Sequence, residues 1–319
     1  MVFFEDFQCI SNMFRALVIL AVLSSIAAVQ YNVNPLGIWK KRILSTAIFG
    51  DSTSDTGNVY QLTNKAWPIS PPNYHGRYSK GFNWADTLEV LVKYNYAHGS
   101  ATTDNNLVKG YAQAGAVLVP GLLQQVEEYV NNPLLSLFRN CSAHIIWGGA
   151  NDAVADPTLA AQPQVVVASL IKSVSALLAA GVKDLIVFNQ VPFQIIPVNA
   201  KLNQSALFIQ LTAAVNYLTN AYLQGLKQAY PNANIYLFDV HTLVSNLYAN
   251  PPSPINDVTG YCWAVTGTTI SSACNNPNNY FFADTFHFTT PVQQKLAKAV
   301  GKFFDNDFTP SAENFFYKI

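Results

Sequence analysis

The stretch Ile43-Leu44-Ser45-Thr46-Ala47-Ile48-Phe49-Gly50-Asp51-Ser52 decides how the chain is read. A short, mostly apolar run breaks off at a glycine and gives way to small polar residues. Such a run reads as a buried strand, and Gly50-Asp51-Ser52 as the turn that leaves it. The pattern recurs. Ala143–Trp147 is a second strand of this kind, stopped by Gly148-Gly149, and Leu185–Phe188 and Ile235–Phe238 are two more. Helical spacing fills the intervals. Trp84, Leu88, Leu91 and Val92 predict a helix over 84–94. Pro120–Val130 and Pro163–Ala180 open with prolines, and Gly181 closes the second. Asn203–Tyr230 is a long amphipathic stretch, and Thr289–Phe304 a last helix with Thr290-Pro291 as its cap and first turn. Strands alternating with long helices imply an α/β fold, a three-layer α/β/α sandwich around a mostly parallel sheet of about five strands. In such sheets ligands sit at the carboxyl ends of the strands.

Four polar segments fall where that rule points. Ser52 follows the first strand, in a turn whose backbone N–H groups favour negative charge; a plain helix cap fits the same residues. Gly149-Ala150-Asn151-Asp152 follows the second strand. The Asn151 amide is a neutral donor of the kind an oxyanion needs, although Asn and Asp are also ordinary turn residues. Asp284-Thr285-Phe286-His287 precedes the last helix. Its three-residue spacing lets the carboxylate accept from Nδ1 and leaves Nε2 free to take a hydroxyl proton. Asn95-Tyr96-Ala97-His98-Gly99-Ser100 offers a glycine whose backbone can approach a reacting atom closely. Of the other histidines, His144 and His241 sit beside apolar strand runs and read as core or strand-end residues.

The composition excludes several classes. Of the 319 residues, 11% are charged, with 18 Lys and Arg against 18 Asp and Glu. No basic cluster exists to displace counterions, so no nucleic-acid partner is expected. From Met13 the chain reads Met-Phe-Arg-Ala-Leu-Val-Ile-Leu-Ala-Val-Leu, then Ser25, Ala27 and Ala28. A basic residue, an apolar run and small residues make residues 1–28 a signal peptide, with 1–12 as an extension ahead of the true start. The run is too short for a stable membrane span of about 20 residues. The expectation is a secreted chain whose residues 29–319 form one domain. Asn140 and Asn203 head glycosylation sequons. Cys262 and Cys274 bracket a polar loop and suit a disulfide in an oxidising compartment. Cys9 lies in the leader, which leaves Cys141 as a buried free thiol. No C-x-x-C or H-E-x-x-H occurs, so neither metal nor other cofactor is expected. There is no G-x-S-x-G elbow, no P-loop and no well-placed glutamate pair for a glycosidase.

The segments together, in this order, resemble the GDSL or SGNH hydrolase superfamily. The likeness extends through Phe49-Gly-Asp-Ser-Thr-Ser-Asp-Thr-Gly57-Asn, Pro71-Pro-Asn-Tyr-His-Gly-Arg77-Tyr-Ser79 and Asn95-Tyr-Ala-His-Gly-Ser-Ala-Thr102, and covers residues 43–304. These blocks look like the fungal-type secreted branch that includes the carbohydrate esterases of family sixteen. The resemblance implies the SGNH, flavodoxin-like form of the sandwich. It implies Ser52 as nucleophile, His287 as general base and Asp284 as its orienting acid. Gly99 (backbone N–H), Asn151 (side-chain amide) and the Ser52 N–H become the oxyanion donors. Thr53 stands where many members carry Leu or Tyr, and His98 where Ser, Tyr or Gly is common. Any substrate contact by His98, Trp84 or Arg77 is left open, as is the oligomeric state. The implied substrate is a small-molecule or oligosaccharide ester, above all an acetylated plant-polysaccharide fragment. A lipolytic esterase is the enzymatic alternative. An inactive carbohydrate-binding relative is the non-enzymatic one, which a complete set of catalytic residue types disfavours.

Overall fold

Ser45–Gly50 forms the first strand, β1, and all six of its residues are buried, as a strand covered on both faces requires. The computed structural model describes residue 43 and residues 45–306, 308–311 and 315–319. The leader reading over 1–28, with Cys9 and Met13, lies outside the described residues. The other strands of the main sheet are β2 (Val92–Asn95), β3 (Ser142–Trp147), β4 (Asp184–Phe188), β5 (Asn234–Phe238) and β6 (Phe316–Lys318). They lie in the order β6-β5-β4-β3-β1-β2. All neighbours pair in parallel except β6, which runs antiparallel to β5. The expected sheet of about five strands is thus a six-stranded, mostly parallel sheet flanked by helices.

Alternation along the strands divides the core into two layers. Ile48, Trp147, Phe188 and Phe238 pack on one face with Leu296 and Phe303. Ala47, Phe49, Ile146, Val187 and Ile235 pack on the other with Leu122, Val126, Leu170 and Leu223. The first layer is roofed by helix α5 (Thr290–Asp305), the second by α1 (Leu122–Asn131), α2 (Pro163–Ala179) and α3 (Ser205–Ala229). Helix α4 (Val240–Ala249), capped by the Asp239 side chain on the Thr242 N–H, has no counterpart in the expectations. Among the described residues, no helix is long and apolar enough to cross a membrane.

Two expectations need correction. Residues 84–94 do not form a helix: Trp84 and Ala85 are buried in a turn and Leu88 in the irregular segment after it, and Val92–Asn95 pairs in parallel with β1, register Ser45↔Val92 to Ile48↔Asn95. The open edge of β1 supplies hydrogen bonds to the β-favouring residues Val92 and Tyr94, and that pairing overrides the helical spacing of the apolar positions. Cys141 is buried but is not a free thiol. No free cysteine occurs among the described residues, and the Cys141 sulfur is engaged in a disulfide. Cys262 and Cys274 are joined to each other. The sequon residues Asn140 and Asn203 are exposed.

Strand order also locates the cleft. The chain leaves β1 for β2 on one side and returns to β3 on the other. Connections therefore diverge between β1 and β3, and their carboxyl ends frame a crevice at this switch point.

Candidate active site

Ser52 sits two residues beyond the end of β1. Two devices hold that end in place. Gln125 of α1 is fully buried; its amide accepts from the Gly50 N–H at 2.9 Å and donates to the Gly50 carbonyl at 2.9 Å. A Cβ on Gly50 would lie 2.6 Å from the Trp147 carbonyl oxygen, so only glycine lets β1 lie this close to β3 here. The chain then turns sharply. The Asp51 carbonyl accepts from the N–H groups of Ser54 at 3.1 Å and Asp55 at 2.9 Å. The Asp51 side chain takes the Thr53 N–H at 3.0 Å and hydroxyl at 2.7 Å. Burial pushes the Asp51 carboxyl up, against the pull of these bonds.

His287 reaches Ser52 from a distant part of the chain. Its Nε2 lies 2.8 Å from Ser52 Oγ. Its Nδ1 lies 2.8 Å from each Asp284 oxygen. Asp284 Oδ1 also accepts the N–H groups of Phe286 at 2.8 Å and His287 at 2.9 Å, so the four-residue turn is closed on its own carboxylate. Burial raises the Asp284 carboxyl, but the adjacent His287 and these hydrogen bonds outweigh it and hold the group below its ordinary range. With Asp284 ionised, Nδ1 is the donor and Nε2 is left to accept the Ser52 hydroxyl.

Asn151 opens a short helix, Asn151–Ala155, just beyond β3. Its amide donates to the Ala101 carbonyl at 3.0 Å, which occupies one of two N–H bonds. The neighbouring Asp152 is fully buried and accepts from the Thr103 N–H at 3.0 Å and hydroxyl at 2.5 Å. These bonds tie the β3 loop to the loop over 99–103. Burial pushes the Asp152 carboxyl up to about 6, ahead of the opposing pull from Thr103.

Gly99 does not have the free backbone donor expected of it. Its N–H is taken by Asp55 Oδ2 at 2.9 Å, and Asp55 also binds the N–H groups of Gly57 and Asn58. The next residue, Ser100, stands in the left-handed region with φ of 68°, and its N–H meets no acceptor among the described residues. The same holds for the N–H of Ser52. Gly99 is glycine for another reason. A Cβ there would fall 1.9 Å from the Tyr78 hydroxyl.

The residues left open are now placed. Trp84 is fully buried in the core. Arg77 holds Asp86 at 3.1 and 2.5 Å and the His75 carbonyl at 2.9 Å, which fixes a loop. His98 donates through Nδ1 to the Tyr96 carbonyl at 2.7 Å, and its N–H goes to Gly50. His144 is a core residue, with Nε2 2.7 Å from the Tyr129 hydroxyl and a pKa that burial lowers to about 3. Tyr78, Asp55 and Gln125 went unassigned in the sequence reading. Asp55 stands inside the Phe49–Asn58 block and Tyr78 inside the Arg77-Tyr78-Ser79 block.

A family model described as GDSL-like Lipase/Acylhydrolase matches residues 47–300, which is more than half of the chain. The chain is also similar to a phosphatidylcholine-sterol acyltransferase of Aeromonas hydrophila, with 25% identity over 226 residues. That alignment covers 68% of this chain and 64% of the relative, so the chain spans less than two thirds of the relative's length.

Proposed function

This chain belongs to the GDSL-like lipase/acylhydrolase family, and from that premise we infer that it is a secreted serine esterase that removes acetyl groups from plant-polysaccharide oligosaccharides. The observation that carries the ester hydrolase is the relay Asp284–His287–Ser52, with a separation of 2.8 Å at each link. A serine hydroxyl is a weak nucleophile at neutral pH and needs such a base. As Ser52 Oγ attacks the ester carbonyl, its proton passes to His287 Nε2, and Asp284 stabilises the imidazolium. The oxyanion takes the backbone N–H groups of Ser52 and Ser100 and the remaining amide hydrogen of Asn151. His287 then gives its proton to the departing alkoxide. Water, deprotonated by the same nitrogen, releases the acid from the acyl-enzyme. The acetylated-sugar substrate and secretion rest on the sequence blocks and leader described above.

A second reading, hydrolysis or transfer of longer acyl chains, has specific support. The curated relative is named for an acyl transfer involving phosphatidylcholine and sterol, and Phe286, beside the base, is 41% exposed. The deciding experiment measures acid release by the protein and its Ser52→Ala variant. Substrates are acetylated xylo-oligosaccharides and long-chain glycerol and phospholipid esters. Acetate release that Ser52→Ala abolishes supports the first reading. Dominant long-chain hydrolysis keeps the triad and moves the substrate. Equal rates for both proteins on every ester reject the nucleophile.

A further inference from the structure

His287 does its work only if one ring face stays fixed while Nε2 first takes a proton from Ser52 and then delivers it to the alkoxide. Asp284 holds one edge of the ring. A second group holds its face. The Tyr78 ring lies over the imidazole, with centroids 4.8 Å apart and planes at 37°. Tyr78 is 6% exposed.

The loop that carries Tyr78 is fixed on both sides. The Tyr74 N–H donates to the Ser79 carbonyl at 2.8 Å, and the Arg77 N–H to the Tyr74 carbonyl at 2.9 Å. Gly76, at φ +87°, lies against Tyr60 and Gly57 so closely that a Cβ would sit 2.5 Å from the Tyr60 Cβ. The far end of the Tyr78 ring rests on Gly99, where an added Cβ would fall 1.9 Å from the hydroxyl and 2.3 Å from Cζ. Tyr78 is thus wedged between Gly99 and His287.

We propose that Tyr78 is a positioning residue: its ring, seated on Gly99, holds the His287 imidazole aimed at Ser52. The proposal rests on the triad reading above. It assigns the work to the ring and none to the hydroxyl. It also gives Gly99 a steric role, as the floor on which Tyr78 rests.

Kinetics on 4-nitrophenyl acetate test it, with burst titration by a fluorophosphonate counting competent Ser52 in each sample. Tyr78→Leu removes the ring and lowers kcat per titrated site by about 10–100-fold, the usual consequence of a misplaced catalytic group, while KM moves less than about threefold. Tyr78→Phe restores kcat to within a few-fold. Gly99→Ala keeps the backbone N–H but displaces Tyr78, so it lowers kcat on its own and adds little in the Tyr78→Leu background. Wild-type kcat in Tyr78→Leu, loss in Tyr78→Phe equal to that in Tyr78→Leu, or losses from Gly99→Ala and Tyr78→Leu that multiply would each overturn the proposal. If Tyr78→Leu does not fold, wild-type kcat in Gly99→Ala overturns it. Absence of phosphonate labelling in the unmutated protein rejects the triad itself, which separates the two failures.

Discussion

Asn151 keeps one amide hydrogen after donating the other to the Ala101 carbonyl at 3.0 Å. In the proposed reaction that hydrogen meets the carbonyl oxygen only weakly in the ground state and strongly once the oxygen is charged. Removing an oxyanion donor typically lowers kcat by about 10²–10³-fold. Asn151→Ala is therefore expected to lower kcat by that order with little change in KM; steady-state kinetics check it, and an unchanged kcat removes Asn151 from the mechanism. Ser52, Asp284, His287 and Asn151 each fit a cap or an ordinary turn when read alone; their order along the chain, and the family resemblance it carries, singled them out as candidates. The donor in the 95–102 segment was not legible. A glycine signals conformational freedom, but which N–H remains available depends on what surrounds it. Asp55, 44 positions earlier in the chain, takes the Gly99 N–H, and the left-handed turn at Ser100 leaves the next one open. No local pattern encodes that choice.

At the scale of elements, the nucleophile's position depends on how α1 meets β1. Gln125 closes both polar groups of Gly50 and also donates to the Pro120 carbonyl at 3.1 Å. Gln125→Leu keeps the bulk and strands the buried Gly50 N–H, while the Gly50 carbonyl keeps the His98 N–H at 3.1 Å. An unsatisfied buried group costs about 1–3 kcal/mol. The expected result is a loss of stability of about 1–3 kcal/mol in urea unfolding. A fall in kcat accompanies it, as the β1 end loosens; an unchanged urea midpoint contradicts the account. Sequence periodicity found β1, β3, β4 and β5 because buried parallel strands carry short apolar runs and end at turns. It failed at 84–94, where Trp84 and Leu88 do face the core but from a turn and an irregular segment, and where the pairing of Val92–Asn95 with β1 comes from a partner more than 40 residues away. It was silent on α4, whose start is set by Asp239 capping Thr242 after a strand with no intervening linker.

Across the whole molecule, charges balance at 18 against 18, so the response of stability to mild acid comes from individual buried groups rather than from net repulsion. The strand order that opens the crevice between β1 and β3 was not readable either, since parallel pairing partners leave no mark in local sequence. That order nevertheless buries two titratable groups of opposite effect. Asp152, fully buried beside Asn151, has its pKa raised from 3.8 to about 6. The folded state then holds a proton that the unfolded chain lacks, so its contribution is complete below about 4 and is lost as pH rises through about 6. His144, fully buried in β3, has its pKa lowered from 6.5 to about 3. Here the unfolded chain holds the extra proton, so the contribution is complete above about 6.5 and is lost as pH falls toward about 3. Each group acts with a slope of about 1.4 kcal/mol per pH unit. Between about pH 4 and 6 the two slopes oppose and largely cancel. Removing either one exposes the other. Relative to the unmutated protein, Asp152→Asn is expected to gain stability with rising pH in that window by about 1.4 kcal/mol per unit, and His144→Gln to lose it by a similar amount. Urea unfolding of the three proteins at pH 4, 5 and 6 measures the difference. Parallel pH dependence in all three would mean that neither group's burial, and so not the packing of β3 on its neighbours, governs the acid response.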